Sequence, residues 1–160
     1  MIRQKRWDDA VALADILGMM KDPKPVAWAN ELQAQVLLRR EAESEPPPQT
    51  LAAAKAHATK AIRSDPTYVP GFLRYIEISL AESEPVDDDT LELVDVARFL
   101  APDLESAKRL ELRVLAASGN YELALKKLDS MVEWASSKRE AQEHSSLRKK
   151  LVEARDGGSS

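Results

Sequence analysis

Apolar and small residues recur along this chain at offsets of 3, 4 and 3, the spacing that gathers side chains on one face of an α-helix. The segment RWDDAVALADIL (Arg6–Leu17) carries the pattern at Ala10, Ala14 and Leu17, with Trp7 three residues ahead. NYELALKKLDSM (Asn120–Met131) repeats it at Ala124, Leu128 and Met131, with Tyr121 ahead. The template fits twice more, at Ala54, Ala58 and Ala61 and at Thr90, Val94 and Ala97, in segments closed by Pro66 and Pro102. The leading positions 10, 54, 90 and 124 lie 44, 36 and 34 residues apart. A period in the mid-thirties with helix-turn-helix punctuation marks a helical repeat array. The long first interval contains REAESEPPPQT (Arg40–Thr50), whose charges and three prolines predict an extended, exposed insertion loop over 41–50.

Partner helices are predicted between these segments, over Val26–Arg40, Val69–Ala81 and Glu105–Ser118, each beginning just after a proline-containing turn. Asp89 with Glu92 reads as a capping-box analogue, and Gly119 followed by Asn120 as the stop of one helix and the start of the next. No stretch alternates with period two, so no strand is expected. The fold class is all-α, with seven or eight helices in antiparallel pairs. One array spans 1–155, closed by a polar helix over about 137–155 with Leu147, Leu151 and Val152 on its inner side. Residues 156–160 are expected to be disordered.

These residues resemble the tetratricopeptide repeat (TPR) family. The likeness is carried by GNYELAL (Gly119–Leu125), and by Ala54, Ala58 and Ala61 with Asp65–Pro66 followed by Phe72 and Tyr75. It covers roughly Arg6 to Ala135 and is weak for a subfamily. In such units the alanines let two helices approach and large residues fill the space beside them. The sequence departs from the pattern in several places. Thr90 replaces the usual alanine, the third unit offers only Ala107 or Lys108 where Trp28 and Phe72 stand in the others, and Arg6–Leu17 lacks a preceding partner. The resemblance implies a right-handed α-solenoid, here expected to be a module of a longer protein. It also implies a concave groove lined by the first helix of each pair, where partner peptides lie. Carried onto this chain, that face includes Asn30, Gln33, Arg74, Glu77, Arg109 and Arg113. Arg74, Arg109 and Arg113 form a basic strip suited to an acidic peptide or terminal carboxylate, unless they pair with Glu77, Glu105 or Glu111. The Lys and Asn set by which some family members clamp carboxylates is not reproduced, so chaperone-tail recognition is not implied.

Composition narrows the chemistry. Of 160 residues 31% are charged and the net charge is −4, so nothing global attracts nucleic acid or anionic lipid. The absence of cysteine excludes disulfides, thiolate nucleophiles and cysteine-based zinc sites. The apolar run Ala10–Met20 is too short for a membrane span and contains Asp15. His57 and His144 are expected on exposed helix faces. VDDDT (Val86–Thr90) reads as a helix cap rather than a metal loop, and no G-x-S-x-G, H-E-x-x-H or Gly-rich phosphate loop occurs. Trp7, Trp28, Phe72, Tyr75 and Tyr121 are expected in the core, with Trp134 less constrained. The expectation is a non-enzymatic, cytoplasmic interaction scaffold with no cofactor and no metal, binding a protein or peptide. The alternative is a module that self-associates by stacking on further repeats or on another copy.

Overall fold

The computed structural model describes residues 2–40, 46–82, 85–132 and 138–157, with side chains over 8–39, 46–82, 85–131 and 141–157. Among them are eight α-helices and no strand: α1 (Ile2–Gly18), α2 (Pro23–Arg40), α3 (Pro48–Ser64), α4 (Val69–Ser79), α5 (Asp88–Leu100), α6 (Glu105–Ala117), α7 (Tyr121–Val132) and α8 (Lys138–Gly157). The expected loop over 41–50 is corrected at its end. Residues 41–45 lie outside the described residues, but Pro48 opens α3, because its fixed φ and missing N–H suit the first helical position. Asp156 and Gly157, expected in a disordered tail, form the last turn of α8.

Local chemistry accounts for the boundaries. Asp65 Oδ1 accepts from the Thr67 backbone N–H (2.9 Å) and hydroxyl (2.7 Å), closing the turn between α3 and α4. The cap of α5 is Asp87, two residues before the expected Asp89. Its carboxylate accepts from the Thr90 N–H at 2.8 Å and also from the Thr90 hydroxyl. That second bond satisfies the hydroxyl of a threonine buried in an alanine position. α6 ends in a Schellman motif: Asn120 N–H donates to Leu115 O (2.8 Å), Gly119 N–H to Ala116 O (3.0 Å), and Gly119 has φ +76°.

Each helix packs on the next in the chain, and α2 also meets α4 while α4 meets α6. The core is correspondingly segmented. Ala34, Leu51, Ala54, Ala58 and Ile78 join α2, α3 and α4. Phe72, Ile76, Val94, Ala97, Leu110 and Val114 join α4, α5 and α6, and Leu112, Leu115, Ala124, Leu125, Leu128 and Leu151 join α6, α7 and α8. α4 and α6 each feed two clusters from different sides, which is why their apolar residues exceed a single stripe. Where α3 and α4 adjoin, a Cβ on Gly71 would stand 3.3 Å from that of Ala61, so small residues set the approach of these two helices.

Two core expectations are overturned. Trp28 is 47% exposed, because the buried positions around it are taken by Ala27 and Ala29. His144 is 3% exposed rather than on the surface, because with Leu147 and Leu151 it forms the inner 3–4 stripe of α8. Phe72 is buried as expected, and Tyr75 and Tyr121 are half-buried. The side chains of Trp7 and Trp134 lie outside the described residues.

Candidate functional site

α4 touches both α2 and α6 in addition to its chain neighbours, and these three alternate helices carry all six residues expected on the partner face. Asn30 is half-buried: its amide donates to Val26 O (2.8 Å), and its Oδ1 lies 3.2 Å from His57 Nδ1. An amide oxygen can only accept, so this bond puts the imidazole proton on Nδ1. Burial, and then the charge of Lys60, lower the pKa of His57 and favour that neutral ring. Gln33 donates to Asp15 Oδ1 of α1 at 3.0 Å.

The arginines do not form one continuous basic strip. Arg74 donates from Nε (3.1 Å) and Nη2 (2.9 Å) to Glu31 Oε1, and from Nη1 to Glu77. Arg109 donates to Glu105 at 3.1 Å and to Glu143 of α8 at 2.8 Å. Both are therefore charge-compensated, and the partners include the expected Glu77 and Glu105. Glu111 instead serves Arg98 (3.1 Å) and Lys127 (2.6 Å). Arg113 is exposed and has no hydrogen bond or ion pair among the described residues. Of the three arginines it is the one whose donors are available to a ligand.

Two contributors were not singled out from the sequence. Glu31 is a buried carboxylate in line with Ala27 and Ala34, at offsets of 4 and 3, and that spacing was the signal that it sits on the inner face. The second is a cleft of about 630 Å³ between the first turns of α2 and α4, lined by Pro25, Trp28, Tyr68, Val69 and Pro70 with Lys24 and Asp65 at its side. Burial, reinforced by Glu31, pushes the Tyr68 hydroxyl up to about 12. An apolar cleft with an exposed indole and a few polar groups is suited to anchoring an aliphatic, aromatic or proline side chain.

Among the described residues no three His, Asp or Glu side chains converge as a metal ion would need, and no helix is long and apolar enough to cross a membrane. No family model matches the chain, and no curated protein or solved structure shows significant similarity to it.

Proposed function

We propose that this chain is a TPR-like, right-handed α-solenoid of antiparallel helix pairs that acts as a non-catalytic, cytoplasmic interaction module, holding a peptide or protein segment along α2, α4 and α6. The observation that carries this reading is the contact of α4 with both α2 and α6, in addition to their chain neighbours. Alternate helices lying side by side provide one continuous face, as the first helices of stacked pairs do. The partner's apolar side chain sits against Trp28, and its acidic group pairs with Arg113. Arg74 and Arg109 stiffen the face through their carboxylate partners. The test uses a partner captured by the full chain and identified by mass spectrometry. Arg113→Glu is expected to weaken it about tenfold at low salt, as loss of one charge-assisted bond does, and Trp28→Ala more. Unchanged affinity in both variants contradicts the reading.

The second reading, self-association, rests on α1. It buries Ala14 and half-buries Ala10 and Leu17, while Leu13 and Ile16 (64% exposed), with Met20 just beyond the helix end, leave apolar surface uncovered. Another copy or a further repeat would cover it. Light scattering that gives a strict monomer at high concentration, unchanged in Ile16→Glu, removes this reading.

A further inference from the structure

His144 raises a question that the partner face does not answer. Leu147 and Leu151 of the same stripe meet the apolar cluster of α6 and α7, yet neither nitrogen of the buried imidazole has a hydrogen-bond partner. The nearest carboxylate oxygen, Glu105 Oε1, is 3.6 Å from Nε2, outside hydrogen-bonding distance. Buried polar atoms are ordinarily satisfied, and one that is not is costly unless something fills its bonding position.

The imidazole lines a hollow of about 280 Å³ where α5, α6, α7 and α8 meet, together with Arg98, Lys108, Lys127, Glu105 and Glu111. Both carboxylates are already engaged, Glu111 by Arg98 and Lys127 and Glu105 by Arg109. The Lys108 ammonium has no acceptor among the described residues. Three cations against two carboxylates leave one positive charge in excess. Donors without acceptors, an excess of positive charge and no convergent trio of metal ligands favour an anion over a cation. The volume lies at the lower edge of small-molecule sites, about 300–1,000 Å³, which suits a compact ligand rather than a peptide.

We propose that this hollow binds a small oxyanion, a carboxylate or phosphate group on a compact body. Its oxygens accept from Lys108 Nζ and from the N–H of His144, and its body rests on Met131. The site shares none of the six residues of the partner face, so it stands or falls independently of that reading.

The experiment follows the histidine ring resonances of the ¹⁵N-labelled full chain at neutral pH and fixed ionic strength. Inorganic phosphate is titrated in one arm and propionate in the other, with chloride making up the balance. A saturable shift of His144 in at least one arm, with His57 unmoved, is expected, and the responding arm identifies the oxyanion. Lys108→Ala should weaken that binding about tenfold, as loss of one charge-assisted bond does. Lys108→Gln, which keeps most of the stem, serves if the alanine variant does not fold. The proposal is overturned if neither arm saturates, if His57 moves in parallel, or if a Lys108 variant with wild-type Tm binds as before.

Discussion

Arg74 is the residue whose replacement most sharply separates holding the face together from contacting a partner. Its guanidinium spans α2 and α4 by giving two N–H groups to Glu31, whose side chain is 11% exposed against 19% for Arg74. Arg74→Ala strands the Glu31 carboxylate with little access to water, whereas Glu77 remains well solvated and loses little. Breaking a buried pair from one side costs about 3–5 kcal/mol, and losing an exposed pair costs about 0–1 kcal/mol. With both groups mostly but not wholly buried, the expected loss is about 2 kcal/mol, or about 4–8 °C in Tm for a chain of this size. Urea unfolding should show the midpoint falling with an unchanged slope. Adding Glu31→Gln to Arg74→Ala should recover about half of the loss, because it removes the stranded charge. A loss below about 0.5 kcal/mol, or no recovery in the double variant, refutes the reasoning. Arg113→Ala, exposed and unpaired, should stay within about 0.5 kcal/mol of wild type, which makes it the cleaner probe of binding.

Gly119→Ala should cost about 1–2 kcal/mol, since φ is +76° and nothing crowds a new Cβ, so the penalty is backbone alone. Gly18→Ala, with ordinary φ and equally open space, should instead stabilise by about 0.4–1 kcal/mol. Opposite signs in thermal melts check both. Asp87→Ala should cost about 1 kcal/mol at neutral pH through loss of the α5 cap. The hydrogen bond from the Thr90 side chain holds the Asp87 carboxyl below its usual 3.8. A depressed folded pKa contributes stability that is present above the unfolded value and lost as pH falls through the folded one. The gap between wild type and Asp87→Ala should therefore close on acidification from about pH 5 to below the folded value; a gap independent of pH contradicts it.

The 3–4–3 pattern located the helices because burial of one face is what such spacing encodes. Ala54, Ala58, Ala61, Thr90, Val94, Ala97, Ala124 and Leu128 are all buried, while Ala10, Leu17 and Met131 are only half-buried. Ala10 and Leu17 belong to α1, which packs mainly on α2 and so is covered on fewer sides. Pairs within one helix, Arg74 with Glu77 and Arg109 with Glu105, were legible from i,i+3 and i,i+4 spacing. The pairing of Arg74 with Glu31 spans 43 residues and exists only because α4 lies on α2; no local spacing encodes it. Two side chains depart from their sequence reading. Trp28 stands at a large-residue position of the repeat template yet is exposed, and His144 lies among polar residues yet is buried, 3 and 7 residues before Leu147 and Leu151 on one helix face. The Trp28 cleft arises from turns nearly 40 residues apart and left no signature of its own.

The central claim, that a partner segment lies along α2, α4 and α6, is tested most directly by photo-crosslinking. A photoreactive amino acid replaces Arg113 on α6 or, as the control, the exposed Lys60 on α3. The account predicts that the partner is trapped from position 113 and not from position 60. Trapping from position 60 alone, or equally from both, contradicts it.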